Sequence, residues 1–446
     1  MFIFMRKIIK GKLSLFLLGI ILLFHAFVLT KLIYFPYTEL FIYPYLTNHG
    51  LMPYSQILDQ HFPGLMFLPV NFDNLGMTTP AAARLWSISV VVIVQIMLFL
   101  IGVKLFKSKT KALVTNLLFL IWQPFFEGWV LWIDSFLPLI LLPAFYCLNR
   151  GDKGDKGNRG KKWFLIAGVM LGLGIVFKQT VIPLAIFAWI YILWTTRNFK
   201  TSLNFLGGLF IPVSLVTTYL IGIGVFKDFW YWTVTFNLTT YAQAGRGESP
   251  SLAHFTRVLL VFGLALLVIK KIKLKEARIV LIFLIGALLG LSTRFNFVHL
   301  QPALPFAILA TVYGLEGLGK LKRLGVLSLY GLITIWWLII FYKGHLGDRI
   351  ISFDSATYKL ADKIRDYTAP GEKIFVYGAA PHLYQMTKTI PAGNIFVFQF
   401  PWFLEVAKAR ILEGIIKDKP NIIVSDRVNK IEGQTVEEIF KRAKKQ

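Results

Sequence analysis

Twenty-four of the 31 lysines and arginines before residue 343 fall in six short segments, separated by long apolar runs. The segments are residues 6–12, 104–111, 150–162, 197–200, 270–278 and 320–323. Basic loops between apolar spans are the pattern of a multi-pass membrane protein whose basic side faces the cytoplasm. Anionic lipid on that side attracts them. Only 16% of the chain is charged, against about 25% in ordinary soluble domains. The net charge of +25 would suit nucleic acid, but its confinement to short loops excludes a nucleic-acid surface. The expected partner is the lipid bilayer.

A crossing helix needs about 17–25 mostly apolar residues. Residues 13–35 supply the first span, which follows Arg6, Lys7, Lys10 and Lys12 and reads as a retained signal anchor. Residues 36–80 contain no Lys or Arg and form a long outer loop. Residues 81–103 return to the cytoplasm. The runs 112–148, 163–195 and 279–318 are each basic on both flanks and polar in the middle. Flanks on the same side require two crossings, so each run is expected to be a hairpin. Residues 203–225, 254–269 and 324–342 complete eleven spans. The N-terminus is then inside the cell and the C-terminus outside.

From residue 343 charged residues become frequent. Helical spacing in Leu360–Arg365, the apolar strands Lys373–Gly378 and Asn421–Ser425, and a helix near Ile411–Lys417 predict a small extracytoplasmic α/β domain over 343–446. Residues 1–342 form the transmembrane domain. The Gly-Asp-Lys repeat at 151–157 reads as a flexible linker. Cys147 is the single cysteine, so neither a disulfide nor a cysteine metal site is available.

Ionisable groups near a bilayer are costly and mark function or pairing. Here they collect on the predicted outer side. Glu39 opens the first outer loop after Thr38, a possible helix cap. It suits a base or orienting group, or a carboxylate favoured by the helix dipole. Asp59 and His61 stand two residues apart in the same loop. Glu127 and Asp134 are seven apart, near two helical turns, so both can share a face. Lys178, with Gln179 beside it, and Arg294, with His299 nearby, sit at hairpin tips. These cations suit a phosphate, or a carboxylate partner.

The ordered motifs carry a resemblance. They are Thr38-Glu39; Asn48 to Tyr54 followed by Asp59-Gln60-His61-Phe62-Pro63; Ala83-Arg84-Leu85; Gly172-Leu173-Gly174 leading to Phe177-Lys178-Gln179; and His299 to Pro305. Together they resemble the glycosyltransferase-C superfamily. The likeness is to its family 39 membrane enzymes, which include protein mannosyltransferases and aminoarabinose transferases. The resemblance implies a sugar donor on a polyprenyl phosphate, inversion at the anomeric carbon, and a first-loop carboxylate as base. Members often open that loop with Asp-Glu. Here Thr38 takes the first place, which leaves Glu39 or Asp59 as the base. His61, Glu127, Asp134, Lys178, Gln179, Arg294 and His299 are then substrate-binding candidates. The acceptor, whether protein, lipid or glycan, is left open. No metal-ligand cluster stands out, so no obligate metal is expected. The rival classes are a flippase of lipid-linked sugar and a noncatalytic relative in envelope assembly.

Overall fold

A computed structural model describes residues 2–153, 158–244, 251–292, 295–316, 318–425, 430–431, 433–435, 437–438 and 441. Arg294 and most of the predicted 151–157 linker lie outside the described residues. The chain is mostly helical and multi-pass. Seven helices among the described residues are long and apolar enough to cross a membrane. They include Lys12–Lys31, Pro80–Phe106, Gly160–Phe177, Gln179–Thr196 and Leu324–His345.

The first eight helices are α1 (Phe2–Lys31), α2 (Glu39–Asn48), α3 (Pro80–Phe106), α4 (Lys109–Gln123), α5 (Ile133–Lys153), α6 (Asn158–Phe177), α7 (Ile182–Thr196) and α8 (Phe199–Gly222). Each expected hairpin contains two helices broken at its polar residues. Between α4 and α5 the chain turns through Pro124–Gly128, where Glu127 adopts a left-handed φ of 56°. Between α6 and α7 it breaks at Lys178, which is extended at φ −158°. Pro183 then lies in the first turn of α7, where its missing N–H costs nothing. The third pair is Lys275–Leu288 and Leu304–Leu315.

The chain divides into two compact units. The first comprises residues 1–34, 84–214 and 247–348. The second comprises 35–83, 215–246 and 349–446.

In the first unit α6 and α8 touch backbone to backbone. A Cβ on Gly168 would lie 2.0 Å from the Phe205 carbonyl oxygen, and one on Gly208 would lie 2.1 Å from that of Leu165. Small residues at such crossings let membrane helices approach closely. Elsewhere, Glu316 takes ion pairs from Lys111 at 2.7 Å and Lys271 at 2.9 Å. This carboxylate lies beside the basic segments and is absorbed by two of their lysines.

The second unit joins the first loop to the tail. A parallel three-stranded sheet has Lys373–Tyr377 in the middle, flanked by Ile390–Pro391 and Ile423–Ser425. Helices Ser355–Arg365 and Pro401–Asp418 belong to the same stretch. The loop itself adds a short strand, Ile57–Leu58, in parallel with Phe396–Val397. Arg410 donates to the Ser55 carbonyl, and Tyr45 to that of Thr389. An apolar layer of Phe41, Tyr43, Tyr54, Phe67, Phe396 and Phe398 fills the interior.

Candidate active site

The ionisable candidates among the described residues gather into clusters, each inside one unit. In the second unit Glu39 is the first residue of α2. A carboxylate suits that place because the unpaired N–H groups of a helix start carry positive potential. Thr38 does not act as a side-chain cap. Glu39 is half-buried. Burial, reinforced by the nearby Asp59 charge, pushes its proton affinity up to about 7 against the opposing pull of its own N–H, His61 and Thr38.

Asp59 is 2% exposed and fully engaged. Oδ2 accepts the Tyr43 hydroxyl at 2.7 Å, while Oδ1 accepts the His61 N–H at 2.8 Å and lies 2.9 Å from His61 Nδ1. Tyr54 is left-handed at φ 62° and donates to the His61 carbonyl at 3.0 Å. The two first-loop carboxylates thus have different work. Asp59 is a hub whose oxygens are taken by donors. Glu39 has an affinity suited to accepting a proton near neutral pH.

In the first unit Asp134 opens α5 and is also 2% exposed. Its Oδ2 lies 2.5 Å from Lys178 Nζ and 3.0 Å from His299 Nδ1, and Nζ and Nδ1 are 3.2 Å apart. A buried charge needs such a partner. A cavity of about 10 Å³, lined by Asp134, His299, Thr180 and Gly290 among others, adjoins the cluster. That is about the volume needed to seat one water. Gln179 follows Lys178 in a short 3₁₀ turn and is half-buried.

The comparisons with known proteins agree on an architecture. Residues 61–221 match the family described as dolichyl-phosphate-mannose-protein mannosyltransferase. That span takes in His61, Glu127, Asp134 and Lys178. The fold is similar to the crystal structure of ArnT from Cupriavidus metallidurans bound to undecaprenyl phosphate. There the TM-score is 0.59 and the identity 12%, covering 92% of this chain and 89% of that one. The apo ArnT structure gives 0.57 at 13% identity, covering 94% and 90%.

The chain has the glycosyltransferase-C fold.

Another glycosyltransferase-C structure on which it superposes is the archaeal oligosaccharyltransferase AglB from Archaeoglobus fulgidus in complex with an inhibitory peptide and a dolichol-phosphate. The TM-score is 0.57 at 12% identity, covering 94% of this chain and 70% of that one. No curated protein sequence matches significantly. The resemblance drawn from the sequence motifs is borne out.

Within this glycosyltransferase-C fold one expected juxtaposition fails. Glu127 and Asp134 share no helix face, because the left-handed turn at Glu127 lies between α4 and α5. Glu127 Oε2 instead accepts the Val298 N–H at 2.8 Å and feels the charge of Arg257. Arg257 stacks on Trp337 at 4.9 Å.

Sequence reasoning also misses a buried polar chain. Gln95 Nε2 donates to His25 Nδ1 at 3.0 Å, and His25 Nε2 donates to Gln123 Oε1 at 3.0 Å. Gln301 Nε2 donates to the Gln123 and Phe126 carbonyls. The chain of bonds ties α1, α3 and α4 to the stretch after His299. A lone His or Gln within an apolar span gives no signal that these four would meet.

Proposed function

We propose that this chain is a membrane glycosyltransferase that moves a sugar from a polyprenyl-phosphate donor to an extracytoplasmic acceptor, with inversion. One observation carries the assignment of the base. Of the two neighbouring first-loop carboxylates, Asp59 has both oxygens engaged by donors, while Glu39 has a proton affinity raised to about 7.

The acceptor hydroxyl oxygen attacks the anomeric carbon from the face opposite the phosphate. Its proton passes to the Glu39 carboxylate. The carbon–oxygen bond to phosphate breaks, and the polyprenyl phosphate leaves with the electron pair. Asp59 and His61 hold the loop that carries this chemistry. Lys178, steadied by Asp134 and His299, stabilises charge growing on the leaving phosphate, and Arg294 shares that role. Glu127 and Gln179 shape the donor side. The protein lies in the cell membrane with its N-terminus inside, eleven crossings, and a soluble α/β tail over 343–446 outside.

The likeness to ArnT with undecaprenyl phosphate and to AglB with a dolichol-phosphate supports a lipid-linked donor. It favours a transferase over a flippase. The test is an in vitro transfer assay with a panel of polyprenyl-phosphate sugars on native and Glu39→Gln protein. Transfer by the native protein, lost in the variant, is the expected result. Movement of intact lipid-linked sugar across a bilayer, with no bond made, would overturn it.

A further inference from the structure

A second feature of the loop-and-tail unit adjoins the proposed base. A cavity of about 300 Å³ is lined by Thr38 on one side and by tail residues on the others: Ser352, Thr357, His382, Phe398 and Phe400 among them. Its volume is at the lower end of small-molecule sites, about 300–1,000 Å³. Thr38 is the residue next to Glu39, so the cavity wall ends one residue from the proposed base.

The lining has a definite chemistry. Phe400 is 41% exposed at the rim. It lies nearly parallel to Trp402, at 4.9 Å and 10°, and to Phe398, at 6.1 Å and 19°. The three rings form a stack, and its members Phe398 and Phe400 give the cavity an apolar side. Gln399 locks that side in place by accepting the Gly378 N–H at 2.6 Å and donating to the Val376 carbonyl at 3.1 Å. The other side is hydroxylic. Thr357 gives its proton to Asp354 at 2.8 Å, which leaves its lone pairs to accept. Ser352 holds a left-handed φ of 69°, a strain that backbones retain where a site requires it.

Among the described residues, no side chain lining the cavity is charged. The titratable one, His382, packs on Phe353 at 4.3 Å. Burial lowers its proton affinity to about 4, so it stays neutral. A phosphate would need cations here, and none of the lining side chains is one. A pyranose ring fits better, because its C–H faces are apolar and its rim carries hydroxyls.

We propose that this cavity is the acceptor subsite, and that it takes an uncharged sugar ring rather than a phosphate-bearing or anionic acceptor. The inference rests on the reading of Glu39 as base. It places the neutral glycan beside the group that removes its proton.

The test uses the full-length protein in lipid nanodiscs without donor. Saturation-transfer NMR compares the methyl glycosides of glucose, galactose and mannose with their 6-phosphates, on native protein and on the Phe400→Ala and Thr357→Val variants. At least one neutral glycoside should bind, its phosphate should bind more weakly, and Phe400→Ala should weaken binding at least tenfold. Phe400 is exposed enough that unfolding temperature should hold. In the transfer assay, Phe400→Ala should raise the acceptor KM and leave the donor KM unchanged. Tighter binding of the phosphates, no glycoside binding, or binding indifferent to both variants would overturn the assignment. Phe400-dependent binding in a protein that transfers no sugar would uphold the sugar site and sink the transferase reading. Transfer unaltered by both variants would do the reverse.

Discussion

Tyr43 donates its phenol proton to Asp59 at 2.7 Å, inside a layer where both residues are almost wholly buried. That bond holds one of the two neighbouring first-loop carboxylates in place. Removing it with Tyr43→Phe leaves Asp59 one donor short in a site closed to water. A hydrogen bond to a charged group contributes about 1.5–3 kcal/mol. Thermal or denaturant unfolding should register a loss in that range, with Glu39 chemistry retained in the protein that remains folded.

Glu39→Gln keeps the size of the side chain and removes proton acceptance. Turnover should fall by about 10²-fold or more if Glu39 is the general base. Asp59→Asn is the companion variant. It should act mainly on stability, because Asp59 holds Tyr43 and His61. Full turnover in both variants on a confirmed donor would reject a first-loop base.

The pH profile follows from the same group. Glu39 is protonated below about 7 and available as a base above it. The chemical step should rise about tenfold per pH unit on the acid side and level off above about 7. Glu39→Gln should flatten that limb. Stability runs the other way. The folded affinity exceeds the ordinary value of 4.5, so the folded state holds the proton more tightly. The stability this provides is complete below about 4.5 and is lost as pH rises through about 7.

Lys178 tests the donor side. Lys178→Met leaves Asp134 buried without its main partner, and breaking such a pair costs about 3–5 kcal/mol. Pairing the change with Asp134→Leu should restore most of that stability. If Lys178 serves the leaving phosphate, the double variant should fold yet use the lipid-linked donor poorly. Steady-state kinetics against donor concentration separates the two effects.

The breaks at Lys178 and near His299 are legible in the sequence because a charge in an apolar run is hard to place except at a helix end. The grouping of Asp134, Lys178 and His299 is not. Their contact is made by tertiary packing of three separate segments, and no local period encodes it. Glu127 is misplaced by a helical repeat carried through Pro124 and Gly128, where the backbone turns left-handed. The pairing of Ile57–Leu58 with Phe396–Val397 is invisible for a related reason. Two-residue strands carry no alternation to read. Glu39 stands out by its place at the head of the loop, whereas its difference from Asp59 depends on donors that only the folded chain assembles.

The close approach of α6 and α8 at Gly168 and Gly208 has a mechanical meaning for the residue at the far end of α6. Each glycine faces a carbonyl of the opposite helix, so neither backbone can yield to make room for the other. The seam continues one turn on at Gly172, where a Cβ would lie 2.2 Å from the Leu209 carbonyl oxygen, so a methyl group anywhere along it would wedge the helices apart. Lys178 follows the end of that helix, about 15 Å beyond Gly168 at 1.5 Å per residue. A wedge of one carbon in the seam would be felt there as a displacement of the ammonium from Asp134.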